Sequence, residues 1–305
     1  AHSIALSGEL PVLTTRGAVT GDLPPRVRWN NHAHHPPLYY LLAAWLIAWT
    51  DRSQIDELLR PNELIFIAAG DISAQHNKWL HAPTPPSDQT LLALHLLRAF
   101  NLLLGSLTLL LIQRAALRLS GRPAVALLAM ALAACLPTFL VLSVSITNDV
   151  LLTLLGALAF ERGLAALQSR RLSWRAALLL GALAGAALFT KLNGISIAAS
   201  LALVWLILVL RRQLPLRRAL LLGTGMAAVA LLIAGGFFLR NLQLYGDPLA
   251  QDAVAAMWGR ALDPISDPAP LDQLSRIARS FWMMAGYLHA PVYAPQIGRA
   301  SCRER

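Results

Sequence analysis

The chain has 305 residues, of which 56% are hydrophobic and only 14% charged, with a mean hydropathy of +0.53. That balance excludes an ordinary soluble domain. With aromatics at 7%, the apolar weight falls on Leu and Ala, as in helical membrane spans.

The net charge of +10 suggests a nucleic-acid partner until the charges are placed along the chain. Eleven arginines sit in three short loops between apolar runs: Arg114, Arg118 and Arg122; Arg162, Arg170, Arg171 and Arg175; Arg211, Arg212, Arg217 and Arg218. Those loops hold one acid, Glu161, and nearly all other acids lie in two long polar stretches. This is the positive-inside signature. The basic excess reports topology, with the arginine loops cytoplasmic, and no nucleic-acid partner is expected.

The chain begins at Ala1 without an initiator Met or a signal-like segment, so an upstream part is expected to be missing. Residues 1–35 are polar, with loop signals at Gly8, Gly17, Gly21 and Pro24-Pro25. Residues 38–50 are apolar and rich in Tyr and Trp, but a ~30 Å hydrocarbon core needs ~20 residues. This run predicts a helix lying in the interface. Residues 51–89, with Pro61, Pro83, Pro85 and Pro86, complete a first extracytoplasmic loop over 1–90.

Six apolar runs follow, at 91–113, 123–145, 149–168, 176–190, 194–210 and 219–239, and predict a transmembrane helical core over 91–239. The fourth and fifth are short and form a hairpin turning at Thr190-Lys191-Leu192-Asn193-Gly194. Residues 240–296 form a second outer stretch, with an interfacial segment expected at 280–294. The tail 297–305 resembles the translation of a sequencing adapter and is left out of the fold. Cys302 goes with it, leaving Cys135 alone, so no disulfide framework is expected.

The fold class expected is all-α: a polytopic transmembrane helical bundle with extracytoplasmic loops. Alternation of the spans puts Asn148-Asp149, the 190–194 turn, Arg240-Asn241 and the first loop on one side, the outside. His95, Arg98 and Asn101, at i, i+3 and i+6, are costly in lipid and are expected to line the bundle interior. His32, His34 and His35 could approach a metal, but no Cys or further His pattern completes a site. Neither metal nor cofactor is expected.

Several motifs occur in order: Gly8-Glu9-Leu10-Pro11-Val12; His34-His35-Pro36-Pro37-Leu38-Tyr39-Tyr40; Ser145-Ile146-Thr147-Asn148-Asp149; Leu188-Phe189-Thr190-Lys191-Leu192; Leu239-Arg240-Asn241-Leu242 with Tyr245-Gly246-Asp247-Pro248; and Ser280-Phe281-Trp282. Their order and spacing resemble glycosyltransferase family 39 and its relatives of the GT-C fold. Among these are protein O-mannosyltransferases and the bacterial enzyme that adds aminoarabinose to lipid A. The resemblance implies a multi-pass enzyme of the cell membrane, surrounded by membrane lipids, with its active site on the extracytoplasmic side. It would move a sugar from a polyprenyl-phosphate donor to a hydroxyl on a lipid, glycan or protein acceptor.

The resemblance also implies a catalytic Asp or Asp-Glu early in the first outer loop, often followed closely by Ala-His. This chain begins Ala1-His2, and Glu9 and Asp22 do not sit in that pattern. The base is therefore expected just upstream of Ala1, and the chain alone is expected to be inactive.

Asp149 is the remaining acid suited to orient an acceptor hydroxyl or support the base; capping of its helix is the other role open to it. Lys191, between two apolar runs, needs a partner. A lipid phosphate suits it, as does snorkelling to the interface. Arg240 either grips phosphate or anchors the end of its span, and Asn241 beside it completes that motif. His34 and His35 are expected in a loop ordered by Pro36-Pro37, which either faces sugar or phosphate or is plain loop structure. Tyr39 and Tyr40 serve as sugar platforms or as interfacial anchors. A transporter or flippase of a lipid-linked substrate would place cations similarly, but such folds show repeated halves and none is evident. A non-catalytic scaffold would not need the ordered polar motifs.

Overall fold

The structure, a computed structural model, describes residues 2–13, 33–55, 84–258, 284–285 and 290–291. His32, the tail 297–305 and most of the segment 280–294 lie outside the described residues.

Runs of Leu and Ala, both good helix formers, fold as helices. They are α1 (His2–Ser7), α2 (Leu38–Ile47), α3 (Thr90–Ser120), α4 (Pro123–Ala134), α5 (Pro137–Val144), α6 (Asp149–Ser169), α7 (Trp174–Thr190), α8 (Gly194–Leu210), α9 (Leu216–Tyr245) and α10 (Gln251–Trp258). A two-residue antiparallel pair, β1 (Met284–Ala285) with β2 (Ala290–Pro291), is the other regular structure among the described residues. Helices α3, α6 and α9 are each long and apolar enough to cross a membrane. Large side chains such as Leu128, Leu132, Leu231 and Leu232 point outward, the last 84% exposed. Such a surface would aggregate in water and suits lipid. The chain is an all-α, multi-pass membrane bundle.

The run over 123–145 is broken. Helices α4 and α5 meet at a bend of 67° because Pro137 has no N–H and holds Leu136 in extended backbone (φ −68°, ψ 119°). The Cys135 and Leu136 amides turn back instead to the carbonyls of Ala131 and Ala133.

Helix α7 is the hub, with α9 lying closest along it and α6 and α8 on its other sides. The approach depends on Gly181 and Gly185. A Cβ on Gly181 would lie 2.5 Å from the Met226 carbonyl oxygen, and one on Gly185 would lie 2.9 Å from Ala230 Cα. Small residues four apart let two backbones touch inside a membrane. The core on this side is Leu180, Leu201, Leu208 and Leu222. A second cluster packs Tyr39, Ala43 and Ile47 of α2 against Leu97 and Leu104 of α3 and Val150 and Leu151 of α6. It fixes α2 beside the start of α6.

The expectation for the 95–101 face is corrected. Asn101 is fully buried, but His95 and Arg98 are exposed. Steps of three residues fall short of the ~3.6-residue turn, so the three side chains fan around α3 instead of sharing a stripe. His95 and Arg98 also lie in its first turns, at the end of the span.

The two ends of the bundle differ in chemistry. At the arginine-rich end, the fully buried Glu161 of α6 meets Arg118 of α3 at 2.9 Å and Arg162 at 3.0 Å. Gln168 donates to the Arg118 carbonyl at 3.1 Å, and Arg218 to that of Leu172 at 3.3 Å. At the other end stand Asp149, Lys191 and the end of α9. In a Cys135→Ser, Cys302→Ser background, Asp252→Cys should react with an impermeant maleimide on intact cells, and Arg171→Cys only after permeabilisation. The reverse pattern would invert this topology.

Candidate functional site

The starts of α6, α8 and α10, the ends of α7 and α9, and the buried Asn101, Asn148 and Asn241 build the site. Asn101 Nδ2 donates to the carbonyls of Ser145 and Thr147, and its Oδ1 accepts from the Tyr39 hydroxyl at 3.0 Å. A buried amide with every nearby group satisfied rigidifies what it touches, here the loop entering α6. Thr147 Oγ1 then donates to Asp149 Oδ2 at 2.9 Å and accepts the Asp149 N–H at 3.3 Å. Asn148 does not cap α6 with its side chain. Its Nδ2 reaches the Thr190 carbonyl at 3.2 Å and ties the loop to the end of α7. Asp149 remains in the first turn of α6, where the helix dipole favours a carboxylate.

The partner of Lys191 is Asp149, with Nζ 2.6 Å from Oδ1. The two side chains are 23% and 34% exposed, so both are reachable from outside the protein. Lys191 sits where α7 turns into α8, in a tight turn closed by the Gly194 N–H donating to the Lys191 carbonyl at 2.8 Å. A Cβ on Gly194 would run into the backbone of Ala187 and Leu188. Only glycine lets the turn close against α7 and hold Lys191 at this height.

Beside that turn lies a cavity of about 240 Å³. His34, His35, Lys191, Asn193, Asn241 and Gln251 supply its polar lining, and Phe237 and Phe238 its apolar wall. The imidazole rings of His34 and His35 stack tilted at 4.2 Å. Asn241 is 1% exposed; its Nδ2 donates to the Pro248 carbonyl at 3.2 Å, while Oδ1 has no hydrogen bond.

The far wall follows from the Tyr245-Gly246-Asp247-Pro248 motif. Gly246, with φ +73°, takes the left-handed conformation that ends α9. Asp247 accepts the N–H groups of Leu249 at 2.9 Å and Gln251 at 2.5 Å. The first of these bonds chiefly holds its carboxyl below the usual carboxylate range. Asp247 thereby starts α10 and swings Gln251 into the cavity wall.

The cavity thus gathers His34, His35, Lys191 and Asn241, and Asp149 joins it through Lys191. Tyr39 and Arg240 are placed elsewhere. The Tyr39 ring is 1% exposed and packed in the α2–α3–α6 cluster, so it supports the frame and offers no face to a ligand. Burial raises its phenol to about 12. Burial also pushes the phenol of Tyr40 up to about 12, with Tyr39 and Asp149 adding to the shift; it therefore stays protonated beside Asp149. Arg240 Nη2 donates to the carbonyls of Leu10 at 3.1 Å and Pro11 at 3.0 Å. Tyr245 Oη accepts the Leu13 N–H at 3.0 Å. Arg240 is thus a clasp joining the first motif to the fifth, with Nη1 left buried and unbonded.

Thr147 and Gln251 join the site beyond the residues expected from sequence: Thr147 lies inside the Ser145–Asp149 motif, whereas nothing local marks Gln251. Among the described residues, no three His, Cys, Asp or Glu side chains come together as a metal site.

Residues 94–235 match the family model of dolichyl-phosphate-mannose-protein mannosyltransferases. The match, which includes the motifs at 145–149 and 188–192, bears out the resemblance and supports a membrane glycosyltransferase in general terms. No curated protein and no solved structure matches the chain.

Proposed function

We propose that this chain is the core of an enzyme that moves a sugar from a polyprenyl-phosphate donor to a hydroxyl of a lipid, glycan or protein, on the extracytoplasmic face of the cell membrane. The observation that carries this reading is the cavity that unites His34, His35, Lys191 and Asn241 beside Asp149. Transfer breaks the bond between the anomeric carbon and the phosphate oxygen. The bonding electrons leave with the phosphate, the acceptor oxygen bonds to the carbon, and its proton passes to a carboxylate. Charge grows on the departing phosphate, so a fixed cation there lowers the barrier. Lys191 is suited to that task, His34 and His35 to hydrogen bonds around phosphate or sugar, and Asp149 to orienting the acceptor hydroxyl. Arg240 contributes by holding residues 10–13 against the end of α9.

The test is binding of undecaprenyl phosphate to purified protein in detergent. Lys191→Ala should weaken it by roughly tenfold to hundredfold, since losing a hydrogen bond to a charged group costs ~1.5–3 kcal/mol. Lys191→Arg should retain part of the affinity. Equal binding by wild type and Lys191→Ala would remove the phosphate from this cavity.

A further inference from the structure

We propose that Lys191 changes partners when the donor arrives: the lipid phosphate takes the ammonium from Asp149 and thereby frees Asp149 Oδ1 for the acceptor. This rests on the reading of the cavity as a phosphate site and adds to it an order of events and a sign.

The two members of the ion pair are held very differently. Asp149 is anchored by its place in the first turn of α6, by the Thr147 hydroxyl on Oδ2 and by the Thr147 Oγ1 contact to its own N–H. The loop beneath it is fastened by Asn101 and Asn148. Its Oδ1, by contrast, meets Lys191 Nζ. Lys191 carries its charge on a flexible four-carbon stem with three donors, and it lines the cavity. When the pair is disturbed, the lysine is the part that moves.

Lys191 is the one permanently charged side chain among the described residues lining the cavity. While it is paired with Asp149, the site presents almost no net charge to an incoming phosphate. The nearby carboxylate also repels that phosphate. Asp149 therefore holds down donor affinity in the resting protein. By reciprocity, a bound phosphate weakens the hold of Lys191 on Asp149. An acceptor hydroxyl then finds Oδ1 a stronger and less shared hydrogen-bond acceptor once the donor is in place, which disfavours acceptor capture by the empty enzyme.

The sign is opposite to that of a supporting role. If Asp149 merely steadied Lys191, neutralising it would weaken phosphate binding. Partner exchange requires Asp149→Asn to tighten undecaprenyl phosphate binding by about threefold to tenfold, the range for a partly exposed charge pair. The gain must depend on the lysine, so Asp149→Asn in a Lys191→Ala background should bring none. Asp149→Ser is read by the same criterion if the asparagine variant does not fold. Unchanged or weaker binding in the folded variant overturns the proposal, as does an equal gain without Lys191. These outcomes separate from failure of the phosphate reading itself: Lys191→Ala binding like wild type sinks both. A loss in Lys191→Ala with no gain in Asp149→Asn sinks partner exchange alone.

Discussion

Replacing Arg118 and Arg162 together by alanine is expected to destabilise the bundle by about 3–5 kcal/mol, the cost of leaving a buried charge unpaired. Glu161 is 0% exposed, whereas the two arginines are 36% and 40% exposed. The penalty is therefore lopsided. Removing the carboxylate leaves guanidiniums that water can reach, but removing the guanidiniums strands a carboxylate that water cannot. Adding Glu161→Leu to the double variant should restore most of the loss, and Glu161→Leu alone should cost much less than the arginine pair. Unfolding in detergent followed by tryptophan fluorescence measures all three. A single Glu161→Leu change as damaging as the double arginine variant would show that the carboxylate contributes net stability and is not merely neutralised.

Gly194→Ala is expected to cost about 1–3 kcal/mol of stability, the usual range for overpacking a filled site. It should also lower undecaprenyl phosphate affinity as far as Lys191→Ala does. The added methyl meets backbone of α7, which cannot rotate away as a side chain would. The turn must lift, and Lys191 moves with it. Gly236→Ala is the control: nothing lies within 4 Å of that position. There the helix-propensity difference favours alanine by up to ~1 kcal/mol. If Gly194→Ala binds the lipid normally at an unchanged melting temperature, the turn does not set the position of Lys191.

The all-α bundle was legible because its signal is local. Length, hydropathy and flanking arginines mark membrane helices one at a time, and α7 ends and α8 begins where Lys191 and Gly194 interrupt the apolar pattern. The break before α5 had a visible cause in Pro137, yet mean hydropathy does not register a missing N–H. His95 and Arg98 depart from the expected interior face because a three-residue spacing drifts around a helix and does not form a stripe. The cost of a lysine between apolar runs predicted that Lys191 has a partner, but a cost does not name the partner. The choice of Asp149 follows from the packing of α6 against α7. Arg240 shows the limit most clearly. Its partners lie 229 and 230 residues away in the chain, and nothing near Arg240 in sequence distinguishes a clasp on carbonyl oxygens from a phosphate grip.

Helices α7 and α8 have 17 residues each, about 25 Å at ~1.5 Å per residue, against a hydrocarbon core of ~30 Å. Helices α3 and α9, with 31 and 30 residues, overreach that core. The hairpin carrying Lys191 is therefore shorter than the core it crosses, and thinning of the surrounding bilayer or reach of its flanking residues is expected to make up the difference. Acyl-chain length becomes a control variable. A thinner bilayer is expected to bring headgroups closer to Lys191 and a thicker one to bury the tip more deeply, so access of a lipid phosphate to Lys191 should vary with membrane composition.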